Sequence, residues 1–226
     1  MCGRLWRDMS WEEYRASIAF YSNEAPPTNL QPHWNVAPTQ TLEVCVMRDD
    51  EKLVEPMRWG LIPIWAKEVP KFATFNAKAE GLKEKATWKG SLNKMRCVIP
   101  ASGFYEWKGP KGDKQPYAIR RRDGDPLLFA GLWAFNDKTE LGEVCSFTII
   151  TVPPNAPMAT LHNRMPAVLE RCEVDEWLAG EWDDKRRTLV RPCPDDSLSA
   201  QPVSKDVGAV RNNRADLPEA IGEPIF

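Results

Sequence analysis

A chain of 226 residues, 42% hydrophobic and 27% charged, is long enough to bury a sizeable core and has the balance of a globular protein, not of a disordered or fibrous one. The formal net charge of −2 excludes a uniformly basic surface, and no run of about 18 apolar residues is available to span a membrane. The amino terminus lacks the basic, apolar and small-residue succession of a secretory signal, so a cytoplasmic location is expected. The six cysteines are spread evenly and are expected to be reduced thiols.

In chain order, Ser10-Trp11-Glu12-Glu13 has capping-box spacing, and Trp11, Tyr14, Arg15, Ile18 and Ala19 follow at helical intervals; together they predict a helix over 10–21. Pro26, Pro27, Pro32 and Pro38 predict an irregular surface loop that carries Trp34-Asn35-Val36-Ala37. Apolar runs then predict strands over Thr41–Met47, Leu53–Trp59, Arg96–Pro100, Phe104–Lys108, Tyr117–Arg121, Leu127–Trp133 and Phe147–Val152. Lys111-Gly112-Asp113 and Asp123-Gly124-Asp125 are turn signals at hairpin spacing. Ala77–Trp88 and Cys172–Gly180 have helical composition. Few strands alternate with full-length helices, which argues against a doubly wound parallel sheet. The expected fold is α+β: a single domain over residues 1–226, with a curled, largely antiparallel, barrel-like sheet flanked by helices.

Charge is unevenly distributed. Between Arg58 and Arg96 nine basic residues face three acidic ones, whereas from Cys172 onward twelve acids face seven bases. Such asymmetry suits one face that attracts phosphates, and equally suits a solvated helix face.

Cys2 has the most distinctive chemistry. Removal of Met1 would place a thiol and a free α-amine on one two-carbon frame, and both titrate near neutral pH. An aldehyde can condense with such an amine to an imine, after which the thiol adds to the same carbon and closes a five-membered thiazolidine. Three segments offer helpers. Asn76 follows an apolar run at the mouth of the predicted helix, as an N-cap or as a hydrogen-bonding site residue. Glu106 stands between Tyr105 and Trp107, where aromatic neighbours would desolvate a carboxylate and suit it to proton shuttling; an exposed strand-edge glutamate is the alternative. His162 lies in a proline-bounded loop beside Arg164, and the other histidine, His33, is assigned no role. With two histidines and no Cys-x-x-Cys, no metal site is expected.

These pieces lie in register with one known family. Met1-Cys2-Gly3-Arg4, Asn35-Val36-Ala37-Pro38, Arg58-Trp59-Gly60-Leu61-Ile62-Pro63, Asn76-Ala77-Lys78-Ala79-Glu80, Arg96-Cys97 through Pro100-Ala101-x-Gly103-Phe104-Tyr105-Glu106-Trp107, His162-x-Arg164-Met165-Pro166 and Pro202-Val203-Ser204-x-x-Val207-Gly208 resemble the SOS-response-associated peptidase (SRAP) family over nearly the whole chain.

The resemblance implies a sensor of abasic sites in single-stranded DNA that crosslinks to them through the processed cysteine. It further allows self-processing peptidase and lyase-type activity, needs no cofactor or metal, and leaves a monomer as the default. Position by position, it makes Cys2 the nucleophile and gives Asn76 a hydrogen bond to the opened sugar or the terminal amine. Glu106 becomes the acid/base, and His162 the group that protonates or positions the deoxyribose hydroxyl. Arg4, Lys78 and Arg164 fall at phosphate-contacting positions, with Trp65 and Trp107 in segments that stack on bases. Two departures are Lys78, where the family commonly has arginine, and Gly81, where it has threonine; lysine keeps the charge but loses the bidentate fork. The alternative is an N-terminal-nucleophile hydrolase or peptidase using Cys2. The glutamine amidotransferases of that type also begin Met-Cys-Gly but need an Asn-Gly motif, and this chain has no Asn-Gly dipeptide. A non-catalytic binder of single-stranded DNA is the third possibility.

Overall fold

The computed structural model describes residues 2–19 and 30–226. Its elements run β1 (Leu5–Arg7), α1 (Trp11–Ser17), β2 (His33–Val36), β3 (Thr41–Arg48), β4 (Glu51–Trp59), β5 (Asn76–Lys78), α2 (Ala86–Leu92), β6 (Arg96–Ala101) and β7 (Gly103–Lys108). They continue with β8 (Gln115–Arg121), β9 (Leu127–Asn136), β10 (Val144–Val152), α3 (Ala156–Ala159), β11 (Met165–Pro166), β12 (Val168–Leu169), α4 (Val174–Leu178), α5 (Asp184–Leu189) and β13 (Leu198–Pro202).

Five strands close on themselves. β3 pairs with β4 and β6, β6 with β9, and β9 with β10; β10 then returns to β4 in the one parallel contact of the ring. Closure removes the open edges that a long β-sheet would otherwise expose. The second sheet, in the order β13-β8-β7-β1-β2, is antiparallel throughout. One face of it packs on the barrel through Leu5, Phe104, Ile119 and Ala200. The other face, with Trp6, Tyr105 and Ala118, is covered by Val203, Val207 and Leu217 of the C-terminal segment. The α+β, barrel-like reading therefore holds, and all seven predicted strands are present.

Gly103 is where the chain crosses from barrel to sheet. A Cβ there would lie 2.0 Å from the Trp6 ring and 2.5 Å from the Ile119 carbonyl oxygen, so only glycine lets β1 and β7 approach with Trp6 laid across the join.

The capping box at Ser10 and Glu13 forms, with both reciprocal bonds made, and starts α1 at Trp11. Pro26 and Pro27 lie outside the described residues. The stretch from Trp34 is not irregular: His33–Val36 is an edge strand against β1, bracketed by Pro32 and Pro38 and interrupted by neither. Ala77–Trp88 is not a single helix. Residues 76–78 join the ladder of β10, a short 3-10 turn spans Ala79–Gly81, and helix resumes only at Ala86. Pairing with the buried strand Ile149–Thr151 outweighs the helical propensity of Ala, Lys and Glu here. Asp123-Gly124-Asp125 turns the chain but makes no hairpin, because β8 and β9 belong to different sheets.

One consequence positions the site. β10 pairs with Arg58 and Trp59 of β4 and then, farther along, with Asn76–Lys78 of β5. Residues 60–75 thus leave and rejoin the same line as a loop, and β5 is delivered next to the start of β1.

Candidate active site

Cys2 stands just ahead of β1, a strand held on both sides. Leu5 lies opposite Phe104 of β7 and Val36 of β2, and the Tyr105 amide donates to the Arg4 carbonyl at 2.9 Å. Successive strand residues face opposite ways, so Glu106 shares the inward face of Phe104 and is buried beside Cys2, at 4% and 1% exposure respectively. Burial, with the nearby Glu106 charge as the second cause, pushes the Cys2 thiol well above its ordinary value, so it is protonated at neutral pH. From β5, Asn76 Nδ2 donates to the Cys2 carbonyl at 2.7 Å. Asn76 Oδ1, on the same amide, is buried without a hydrogen-bond partner. Asn76 is therefore not a helix cap; it ties the start of the chain to the barrel.

His162 follows α3, which Asn155 caps through the Met158 amide. His162 Nδ1 lies 3.0 Å from the Arg164 amide nitrogen and 3.2 Å from the Arg164 carbonyl oxygen, so the Arg164 backbone holds the ring in place. The Arg164 guanidinium grips Glu80 with both arms, Nη1 to Oε1 at 2.7 Å and Nη2 to Oε2 at 2.9 Å, and Nη2 also reaches the Thr151 carbonyl. Thr151 is the register partner of Lys78. The link from His162 to Asn76 thus runs through Arg164, Thr151 and β5, with Lys78 exposed on the same strand.

Arg4 and Trp107 lie elsewhere. Trp107 follows Glu106 directly and faces the opposite side of β7. The Arg4 guanidinium sits 5.6 Å from the Trp107 ring centroid and donates to Asn35 Oδ1 at 2.7 Å and the Val207 carbonyl at 2.6 Å. Burial lowers its pKa. Trp65 is 56% exposed on the 60–75 loop. Cys2, Asn76 and Glu106 are therefore together, and Lys78, Arg164 and His162 line the adjoining β5/β10 edge. Arg4 and Trp107 back the site from the far face, and Trp65 stands on the loop.

Three residues with evident roles were given none by the sequence reading. Asn35 is buried and accepts from Arg4 while its Nδ2 donates to Val207, Ala209 and Asn212 carbonyls, stapling the C-terminal segment to β1. Its signal was a lone amide among apolar neighbours. Glu80 holds Arg164, and Phe72, 59% exposed, adds a second aromatic to the Trp65 loop between Lys71 and Ala73. A cleft of about 830 Å³ lined by Trp6, Met9, Ser102, Arg121 and Glu170 opens at the other end of β1, away from Cys2. Among the described residues no group of three or more His, Cys, Asp or Glu side chains could hold a metal ion, and no helix is long and apolar enough to cross a membrane. The six cysteines are free.

The family model for the SOS response associated peptidase (SRAP) matches residues 1–210. The chain belongs to the SRAP family. It is 36% identical to the abasic site processing protein YoqW of Bacillus subtilis over 97% of this chain and all of that one. It is 30% identical to the abasic site processing protein YedK of Escherichia coli, over 98% of this chain and all of YedK. The chicken abasic site processing protein HMCES is also 30% identical, across 98% of this chain and 77% of its own length. A crystal structure of a Bacteroides thetaiotaomicron protein shares the SRAP fold seen here with a TM-score of 0.80 at 23% identity, covering 96% of this chain and 99% of that one.

Proposed function

We propose that this chain binds single-stranded DNA and captures the aldehyde of an abasic site as a thiazolidine on Cys2, once Met1 is removed. The observation that carries the reading is the convergence of Asn76 and Glu106 on Cys2: a buried aminothiol position whose carbonyl is held at 2.7 Å and whose thiol lies beside a buried carboxylate. The relatives named for abasic-site processing support the choice of aldehyde.

The raised thiol sets the order of events. The free α-amine, ordinarily near pKa 8, is the better nucleophile at neutral pH and attacks the sugar aldehyde first, losing water to form the imine. The thiol then adds to the imine carbon, its proton passing through Glu106 to the former imine nitrogen, and the ring closes with no further leaving group. Asn76 Oδ1 accepts from the amine or a sugar hydroxyl, and His162 protonates or positions the deoxyribose hydroxyl. Lys78 and Arg164 hold flanking phosphates, and Trp65 stacks on a neighbouring base.

Intact mass spectrometry after mixing with an abasic single-stranded oligonucleotide tests the reading. The expected species has the mass of the Met1-free chain plus oligonucleotide minus one water, and it is absent for Cys2→Ala. An equal yield from Cys2→Ala would sink the mechanism. Glu106→Gln should slow adduct formation about 100-fold with DNA binding retained.

A further inference from the structure

Both arms of the Arg164 fork are filled by one carboxylate. Glu80 takes both arms, yet the two partners differ in freedom: the Arg164 side chain is 12% exposed and that of Glu80 57%. A carboxylate and a phosphate offer the same bidentate geometry to a guanidinium, so they compete for it. The Thr151 carbonyl holds Nη2 independently of Glu80, and the Arg164 amide stays on His162 Nδ1. The arginine can therefore change partner without moving the His162 loop. Exposed Lys78 lies across the ladder from Thr151, so a second cation is ready at the same edge.

We propose that Glu80 is an exchangeable counter-ion: it fills the Arg164 fork in the DNA-free protein and swings into water when a backbone phosphate takes its place. Without it, a mostly buried guanidinium would stand uncompensated whenever DNA is absent. With it, every binding event must displace an ion pair, and the protein holds single strands less tightly than its cations would allow. This inference rests on the single-strand-binding reading above.

The test is fluorescence anisotropy with a single-stranded oligonucleotide bearing a tetrahydrofuran analogue of the abasic site, which has no aldehyde and cannot crosslink. The proteins are wild type, Glu80→Gln, Arg164→Gln and the double variant. Glu80→Gln should bind roughly three- to fivefold tighter at low salt, the scale of an exposed ion pair, and the gain should vanish in the Arg164→Gln background. Equal or weaker binding by Glu80→Gln overturns the proposal, and so does an undiminished gain without Arg164, which would mark a general charge effect. If wild type binds the analogue but forms no adduct with a true abasic strand, the capture reading falls and the exchange still stands on the anisotropy. If wild type binds no single strand, both fall.

Discussion

Arg96 and Arg164 are both arginines drawn into the protein, and they are held in opposite ways. Arg96 is 1% exposed and donates only to backbone carbonyls: Leu92 and Asn93 at the end of α2, and Trp177, Leu178, Ala179 and Gly180 at the end of α4. Those are the carbonyls that helix geometry leaves without intrahelical partners, at the negative ends of two helix dipoles. They cannot leave Arg96 unless two helices come off the barrel. Arg164 is held mainly by one exposed carboxylate that needs only a rotamer change to depart. A guanidinium bound to backbone is architecture; one bound to a mobile side chain is available for exchange.

The contrast breaks most visibly on heating. Arg96→Met should cost on the order of 4 kcal/mol, because several buried carbonyls lose their donor at once, and should lower Tm by about 10 °C. Arg164→Gln should move Tm by less than about 3 °C, since the Glu80 left behind is exposed and rehydrates, so that the pair contributes about 1 kcal/mol. Differential scanning calorimetry decides. Comparable losses from the two variants would mean that the Arg164 pair is architecture as well.

The two residues also differed in how far the sequence disclosed them. The seven longer strands were legible because each carries enough apolar or aromatic residues in succession to mark a strand, although Glu55 and Pro56 interrupt β4 and β8 ends in Arg120 and Arg121. β1, β2, β5 and β13 were not, since three to five residues carry too little periodicity and their partners lie far along the chain: Leu5 with Val36 and Phe104, Asn76 with Ile149. Those short strands assemble the site. Cys2, Asn76 and Glu106 could be picked out by residue type and by family resemblance. That Asn76 reaches the Cys2 carbonyl from a strand, and not from a helix mouth, depends on the 60–75 loop returning to β10. The Arg96 and Glu80 partners depend on tertiary placement, and no local pattern records it.

A second distinction between barrel and site concerns thiols in alkali. Burial raises Cys97, raises Cys45 to about 12 and Cys193 to about 11, and raises Cys2 with help from Glu106. A thiol whose folded pKa is raised keeps its proton while the unfolded chain begins to lose it, so stability is full below about pH 8.5 and declines as pH rises beyond it. Each such thiol contributes a slope of about 1.4 kcal/mol per pH unit. Urea unfolding at pH 8.5, 9.25 and 10 should show the combined slope, and Cys97→Ala should remove one thiol's share of it whatever its cost at pH 7. An unchanged slope would mean that the barrel interior tolerates a thiolate, and that burial is a weaker barrier there than beside Glu106.

The smallest effect is an expected constancy. The Arg164 fork holds the Glu80 carboxyl below the usual carboxylate range. A carboxylate with a depressed pKa stays ionised as pH falls through the ordinary value of about 4.3, so the ion pair present at pH 7 is still present at about pH 4 and is lost only in stronger acid. The ratio of DNA affinities between Glu80→Gln and wild type should therefore be the same at about pH 7 and about pH 4. Any other group that titrates in that window does so in both proteins and cancels in the ratio. A ratio that collapses toward one at the lower pH would show Glu80 already protonated there. Arg164 would then hold it too weakly to compete with a phosphate, and the line drawn between a fixed and an exchangeable arginine would have to be redrawn with Glu80 as a bystander.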